Sequence, residues 1–313
     1  TWTISSNNTY TGGTTINAGT VAVTNNNAFG TGDVTMEDNT SIQFGVSNTN
    51  WNNKFILNPA VPGPNQGVTF NIGNFNTYLS SAIEGANKLL VKGTSIFSTT
   101  AANLFTGGLE LYENITFVLG LGGSLPNNID VSLKDSGTKL DLGNNSSTFG
   151  KLYGVSGSKI FLGTNTLTLT QDSEFNGILQ DSNGGKLIIT NSKTLTFGGA
   201  NQTLATFQVD ANSRIVTTSN TQLSTDSTIN LAGAGATFDA TTYSPAFTFA
   251  SLQGVAGTIF KWNGTNLTLN GPAVSSFDGV LDGGNNAQVT INAGLTLGAT
   301  PSNVAAWVVN NGS

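Results

Sequence analysis

Apolar residues in this chain recur in short alternations. Ile42 and Phe44, Leu140 and Leu142, Leu167 and Leu169, Leu187 and Ile189, Leu195 and Phe197, Ile229 and Leu231, Val289 and Ile291, and Leu295 and Leu297 each leave one residue between them. That period of two puts both members of a pair on one face of a strand. Clusters of Gly and Asn follow, as at Gly143-Asn144-Asn145, Gly198-Gly199-Ala200-Asn201 and Gly283-Gly284-Asn285-Asn286. Both residue types accept the positive φ that a tight corner requires. No 12-residue stretch carries a 3.6 period, so helix content should be small, with Tyr78–Glu84 the single candidate.

Internal repeats decide how such strands are arranged. Tyr10-Thr11-Gly12-Gly13-Thr14-Thr15-Ile16-Asn17-Ala18-Gly19-Thr20-Val21 returns in degraded form at Phe105-Thr106-Gly107-Gly108-Leu109-Glu110-Leu111-Tyr112. A longer unit runs from Phe149-Gly150-Lys151-Leu152 through Leu169 to Phe175-Asn176-Gly177, and again from Phe249-Ala250-Ser251-Leu252 through Leu269 to Phe277-Asp278-Gly279. A sandwich would need non-local pairings that do not have to recur in sequence, whereas stacked parallel coils recur naturally. The expectation is an all-β parallel β-helix running as one body over residues 1–313, with loops protruding between coils. Three of the seven prolines fall within Asn58–Asn65. Proline cannot donate to a strand ladder, so residues 58–67 are the candidate protruding loop.

Charge narrows the partners. Charged residues make up 9% of the chain, against roughly 25% in ordinary globular proteins. With a net charge of −6 and 11 Lys and Arg, nucleic acid and anionic membrane surfaces are poor partners. No apolar run is long enough for a membrane-spanning helix, and no leader-like segment opens the chain. The chain reads as a mature or excised piece of a longer protein.

Its chemistry is sparse. There is no Cys and no His, which excludes His-based triads, thiol nucleophiles and ordinary zinc sites. Asp135-Ser136-Gly137 is therefore a turn and not an activated nucleophile. No Gly-Gly-x-Gly-x-Asp calcium repeat occurs, and Asp181-Ser182-Asn183-Gly184-Gly185 is a polar corner. Neither a catalytic residue, a metal ligand nor a cofactor site is assigned. Paired carboxylates, at Asp278 and Asp282, at Asp172 and Glu174, and among Asp130, Asp135 and Asp141, leave polysaccharide cleavage as the alternative. Thr166, Thr168 and Thr170 share a strand face, as do Thr194 and Thr196, and suggest a flat Thr array as a remote third choice. Trp51, Pro62, Asn65 and Trp262 are the candidate binding residues, either as surface aromatics or as loop positions. For the tryptophans, core packing is an equal expectation.

The Tyr10–Val21 segment resembles the passenger-associated transport repeat of bacterial autotransporters, the type V secreted proteins. Ile83-Glu84-Gly85-Ala86-Asn87-Lys88-Leu89-Leu90-Val91-Lys92-Gly93, leading to Phe105-Thr106-Gly107-Gly108, resembles a fuller and more eroded copy, with Asn114 and Ile115 where a Gly-Thr should follow the strand. The resemblance implies a right-handed parallel β-helix exported across the outer membrane to the surface of a Gram-negative cell or released from it. It also implies membrane attachment only through a C-terminal β-barrel that is not in this sequence. On that basis the expected role is a non-catalytic adhesin or self-associating scaffold. Its partners would be a host-cell receptor, a glycan or other copies of itself, and a released toxin-like or signalling effector is a further alternative.

Overall fold

The computed structural model describes residues 1–59, 66–181, 184–199, 202–218, 223–242, 246–271, 275–292, 294–298 and 303–310. Among them there is no helix, and the strands stack in parallel as a β-solenoid. The chain divides into two compact units, Thr1–Phe161 and Leu162–Ser313.

In the first unit, the turns that begin at Ser41–Phe44, Val68–Gly73 and Leu89–Gly93 visit three sheets in a fixed order. One turn runs Leu89–Gly93, Ile96–Thr99, Leu104–Phe105, and the next begins at Leu109–Tyr112. Leu89 pairs in parallel with Leu109, and Ile96 with Thr116, so this coil is 20 residues long by subtraction. Alternation along each strand then sends one side chain in and the next out. Val21, Ile42, Phe70, Val91, Leu111 and Leu133 follow one another up a single inward ladder, and all are buried. Burying each such side chain contributes about 1.5–3 kcal/mol.

Aromatic rings fill the middle of this core. Phe44 lies 5.1 Å from Trp51 and 5.5 Å from Phe70, and Phe55 lies 5.0 Å from Phe70, mostly edge to face. The chain of rings continues through Phe97 to Phe117. Buried amides complete the corners where strand hydrogen bonds stop. Asn103 is buried, accepts from the Ile83 N–H at 3.1 Å and donates to the Ala101 and Ser124 carbonyls at 3.1 and 2.9 Å. The two carbonyls also accept backbone N–H groups, from Ser124 and Asn103, so what the amide chiefly supplies is a partner for the Ile83 N–H.

The second unit uses the same grammar. Thr166–Leu169, Lys186–Ile189, Thr206–Val209, Thr228–Leu231 and Ser251–Gly254 form one parallel ladder, with Leu167, Leu187, Phe207, Ile229 and Leu252 stacked inside. Thr194–Phe197, Arg214–Thr217, Thr237–Ala240 and Ile259–Trp262 form a second.

Most sequence expectations about local structure are met. Seven of the eight apolar pairs are buried, from Ile42 and Phe44 to Val289 and Ile291. The eighth is not: Leu297 is 42% exposed, because the strand Leu295–Leu297 pairs only with Ser275–Phe277 and has one side uncovered among the described residues. Five Asn residues, Asn39, Asn48, Asn128, Asn191 and Asn212, adopt positive φ at corners. The helix candidate at Tyr78–Glu84 is overturned. Thr77–Leu79 and Ile83–Gly85 are strands with a corner between them, since Tyr78 is held between Asn50 and Ser98 in a continuous ladder. Seven residues of weak helical period do not compete with neighbours above and below. Gly283–Asn286 is not a separate corner either, because it lies within the long strand Val280–Ile291, where the register shifts twice.

The two Gly-Gly segments share a corner but not a place in the coil. Gly13 and Gly108 both have positive φ, at 80° and 102°. Thr14–Ile16, after the first, pairs with Val34–Met36, whereas Leu109–Tyr112, after the second, lies in the sheet of Thr20–Val23 and Ser41–Phe44. The copies are therefore one face out of phase. The 100-residue repeat keeps its phase better: Gly157 and Gly257 turn with φ of 86° and 82° after the equivalent buried Leu152 and Leu252.

Candidate functional site

Within the first unit, the outward positions of four successive strands gather an unusual share of the chain's few charges. Leu89–Gly93 presents Lys92, Leu109–Tyr112 presents Glu110 and Tyr112, Ile129–Leu133 presents Asp130 and Ser132, and Ser147–Gly154 presents Lys151 and Tyr153. The register brings them into contact: Lys92 stands opposite Tyr112, Glu110 opposite Ser132, and Ser132 opposite Tyr153. Among Glu110, Asp130, Ser132, Lys151 and Tyr153 is a groove of about 270 Å³ that Lys88 and Lys134 also line.

Glu110 organises this groove. One carboxylate oxygen accepts from Lys88 Nζ at 3.0 Å and lies 3.4 Å from Lys134 Nζ, and the other accepts from Tyr112 Oη at 2.6 Å. Burial alone would raise the Glu110 carboxyl. The hydrogen bonds from Tyr112 and Lys88, with the charges of Lys134 and Lys88, outweigh it and hold the carboxyl below its ordinary value of 4.5. Tyr112 is pushed well above its ordinary 10.0, first by burial and then by its hydrogen bond to Glu110. Lys92 Nζ sits 5.0 Å from the Tyr112 ring centroid and Lys134 Nζ 5.3 Å from that of Tyr153, within cation–π range.

This cluster has a pH signature. The lowered Glu110 value gives stability that is present above pH 4.5 and lost as pH falls through the folded value below it. The raised Tyr112 value gives stability that is present below pH 10.0 and lost as pH climbs toward the folded value. Near-ultraviolet dichroism of the tyrosines should show both limbs. Glu110→Gln should lower stability at neutral pH and shrink the acid limb.

Four of the carboxylates considered for polysaccharide cleavage accept backbone N–H groups. Asp130 Oδ1 accepts from the Lys151 N–H at 2.8 Å, Asp135 Oδ2 from Glu113 N–H at 2.6 Å, Asp141 Oδ1 from Gly143 N–H at 2.8 Å, and Asp172 Oδ1 from Thr194 N–H at 2.8 Å. Glu174 accepts from the Asn176 amide and Asp282 from the Asn303 amide. Asn176 and Asp278 are equivalent in a way the sequence only hinted at. A Cβ on Gly198 would fall 2.1 Å from Asn176 Oδ1, and one on Gly298 would fall 2.5 Å from Asp278 Oδ1. Each polar side chain thus lies against a glycine of the next coil, and the two glycines continue the 100-residue repeat.

The remaining expectations fall as follows. Trp51 and Trp262 are buried core residues that present no ring face to solvent, and the Trp262 indole N–H donates to the Thr265 carbonyl at 2.8 Å. Pro62 and Asn65, with most of the 58–67 loop, lie outside the described residues. Asp181 closes its corner by accepting from the Gly185 and Ala205 N–H groups at 2.7 and 2.8 Å, while Ser182 and Asn183 lie outside the described residues. Asp135–Thr138 is a turn closed by the Thr138 N–H on the Asp135 carbonyl. No group of three or more metal-ligating side chains occurs among the described residues. A Thr column does form at Thr248, Thr268 and Thr290, but Thr166 faces Lys186 and Thr196 faces Val216, which breaks the array. The groove itself escaped the sequence reading.

The profile of the passenger-associated-transport-repeat family matches residues 1–23. This stretch contains the Tyr10–Val21 segment and two of the first strands of the stack, Thr14–Ile16 and Thr20–Val23. No curated protein and no solved structure matches the chain. A transport repeat at the head of a parallel β-solenoid fits the passenger domain of an autotransporter.

Proposed function

We propose that this chain acts as a non-catalytic adhesive scaffold, holding a host-cell receptor, a glycan or further copies of itself. The matched repeat implies export across the outer membrane, to the cell surface or the extracellular space. A rigid stack repeats its outward side chains coil after coil, so weak contacts add along one face and avidity replaces a single tight site. The observation that carries the reading is the use of the carboxylates. Asp130, Asp135 and Asp172 accept backbone N–H groups of the adjacent coil and so tie coils together, and Asp141 closes its own corner on Gly143.

The test couples the purified chain to beads and follows clustering, alone and with epithelial cells, against a heat-unfolded control. Clustering without cells supports association between copies, and attachment to cells without clustering supports receptor binding. If the folded chain does neither, the adhesive reading falls, and release of reducing ends from polysaccharides becomes the assay to run.

A further inference from the structure

We infer that the groove over Glu110 and Tyr153 is a binding site for a linear acidic glycan, one carrying carboxylate or sulfate groups. The inference deepens the adhesive reading above and rests on it. Three lysines, Lys88, Lys134 and Lys151, line it with Glu110 and Asp130, and Lys92 stands beside it on the neighbouring strand with its Nζ over the Tyr112 ring, on a chain whose net charge is −6. Glu110 is already shared between Lys88 and Lys134, and Asp130 is turned to the backbone of Lys151. Among the described residues no carboxylate lies within ion-pair distance of Lys92 or Lys151. Two ammonium groups are thus left to pair with an incoming anion, and Glu110 holds two more in fixed positions.

The length and direction of the groove suit a chain-like ligand. It is built from four neighbouring parallel strands, which at about 4.8 Å per step extend roughly 14 Å along the stack. One step is close to the length of one sugar residue in an extended polysaccharide, so cations two coils apart can meet acidic groups on alternate residues. Tyr153 lines the groove with Lys134 Nζ held over its ring, which fixes the place of that cation.

The test is calorimetric titration of the full chain with a heparin oligosaccharide, a hyaluronan oligosaccharide and a neutral chito-oligosaccharide. Binding of one or both acidic probes is expected, weakening with added salt, with none by the neutral probe. The doubly substituted Lys92→Gln/Lys151→Gln chain should bind at least ten-fold more weakly. These side chains are at the surface and carry no ion pair, so folding, checked by dichroism, should be unchanged. Lys139→Gln/Lys159→Gln removes the same charge from directly opposed lysines on another sheet and should leave affinity unchanged. Equal weakening by both pairs would mean diffuse attraction and overturn the site, as would equal binding of the neutral probe or none of the acidic ones. Loss of acidic-probe binding with bead attachment to cells intact would remove this inference alone. Acidic-probe binding without attachment or clustering would leave the groove and remove the adhesive role.

Discussion

Phe55→Ala should lower the stability of the first unit by about 3–5 kcal/mol, the usual range for truncating a buried aromatic. Phe55 is fully buried, with its ring 6.4 Å from Phe29, 6.4 Å from Phe44 and 5.0 Å from Phe70. Its backbone is fixed in register against Val34 below and Ile83 above, so neighbouring strands cannot slide in to fill the space. A solenoid is held by nearest-neighbour interfaces, so the loss should appear first as faster amide exchange in Val34–Met36, Phe55–Leu57 and Ile83–Gly85. Uniform exchange across those strands, equal to the parent chain, would show that the cavity is relieved by repacking. Phe55→Leu, which keeps most of the volume, should fall between the two.

Gly85→Ala should be nearly as severe, about 2–4 kcal/mol from backbone strain plus a lost hydrogen bond, for a different reason. Gly85 has φ of 112°, outside the range that residues with a side chain adopt readily. An added Cβ would lie 2.0 Å from the Leu57 carbonyl oxygen, which is backbone of the adjacent strand in the same ladder. Either the corner or the Leu57 strand must move, and the Ala86 N–H bond to that same carbonyl would go with it. Denaturant unfolding compared with Gly12→Ala gives the control, because a Cβ at Gly12 meets nothing within 4 Å. If both substitutions cost the same, the close approach at Gly85 is not what holds that corner.

Much of the architecture could be read from the residues one strand at a time. Leu167 and Leu169, or Ile229 and Leu231, needed only alternation to be placed inside, because a strand's two faces are set by its own backbone. Asn39, Asn128 and Asn212 could be expected at corners because their side chains tolerate positive φ. The groove could not be read this way. Lys88, Glu110, Lys134 and Lys151 belong to four different coils, and nothing in the sequence between them states the coil length to the residue. Coils of 20 and 22 residues look alike in composition, yet a slip of one residue would turn Glu110 from the surface to the core. Trp51 and Trp262 illustrate the same limit, since a tryptophan in a short strand suits a core ladder and a sticky surface equally well.

By itself the sequence determined the all-β class, the parallel stacking, the chemistry of the corners and, through Tyr10–Val21, the transport repeat. All of these follow from local alternation, from the φ tolerance of Gly and Asn, and from recurrence along one chain. Only the tertiary structure decided which side chains from separate coils meet. It set the repeats beginning at Tyr10 and Phe105 one face apart, enclosed Trp51, and brought Lys88 and Lys134 to the two sides of Glu110. The reason is that register between coils is fixed by the packing of inward side chains over many strands at once, and no single segment carries that information.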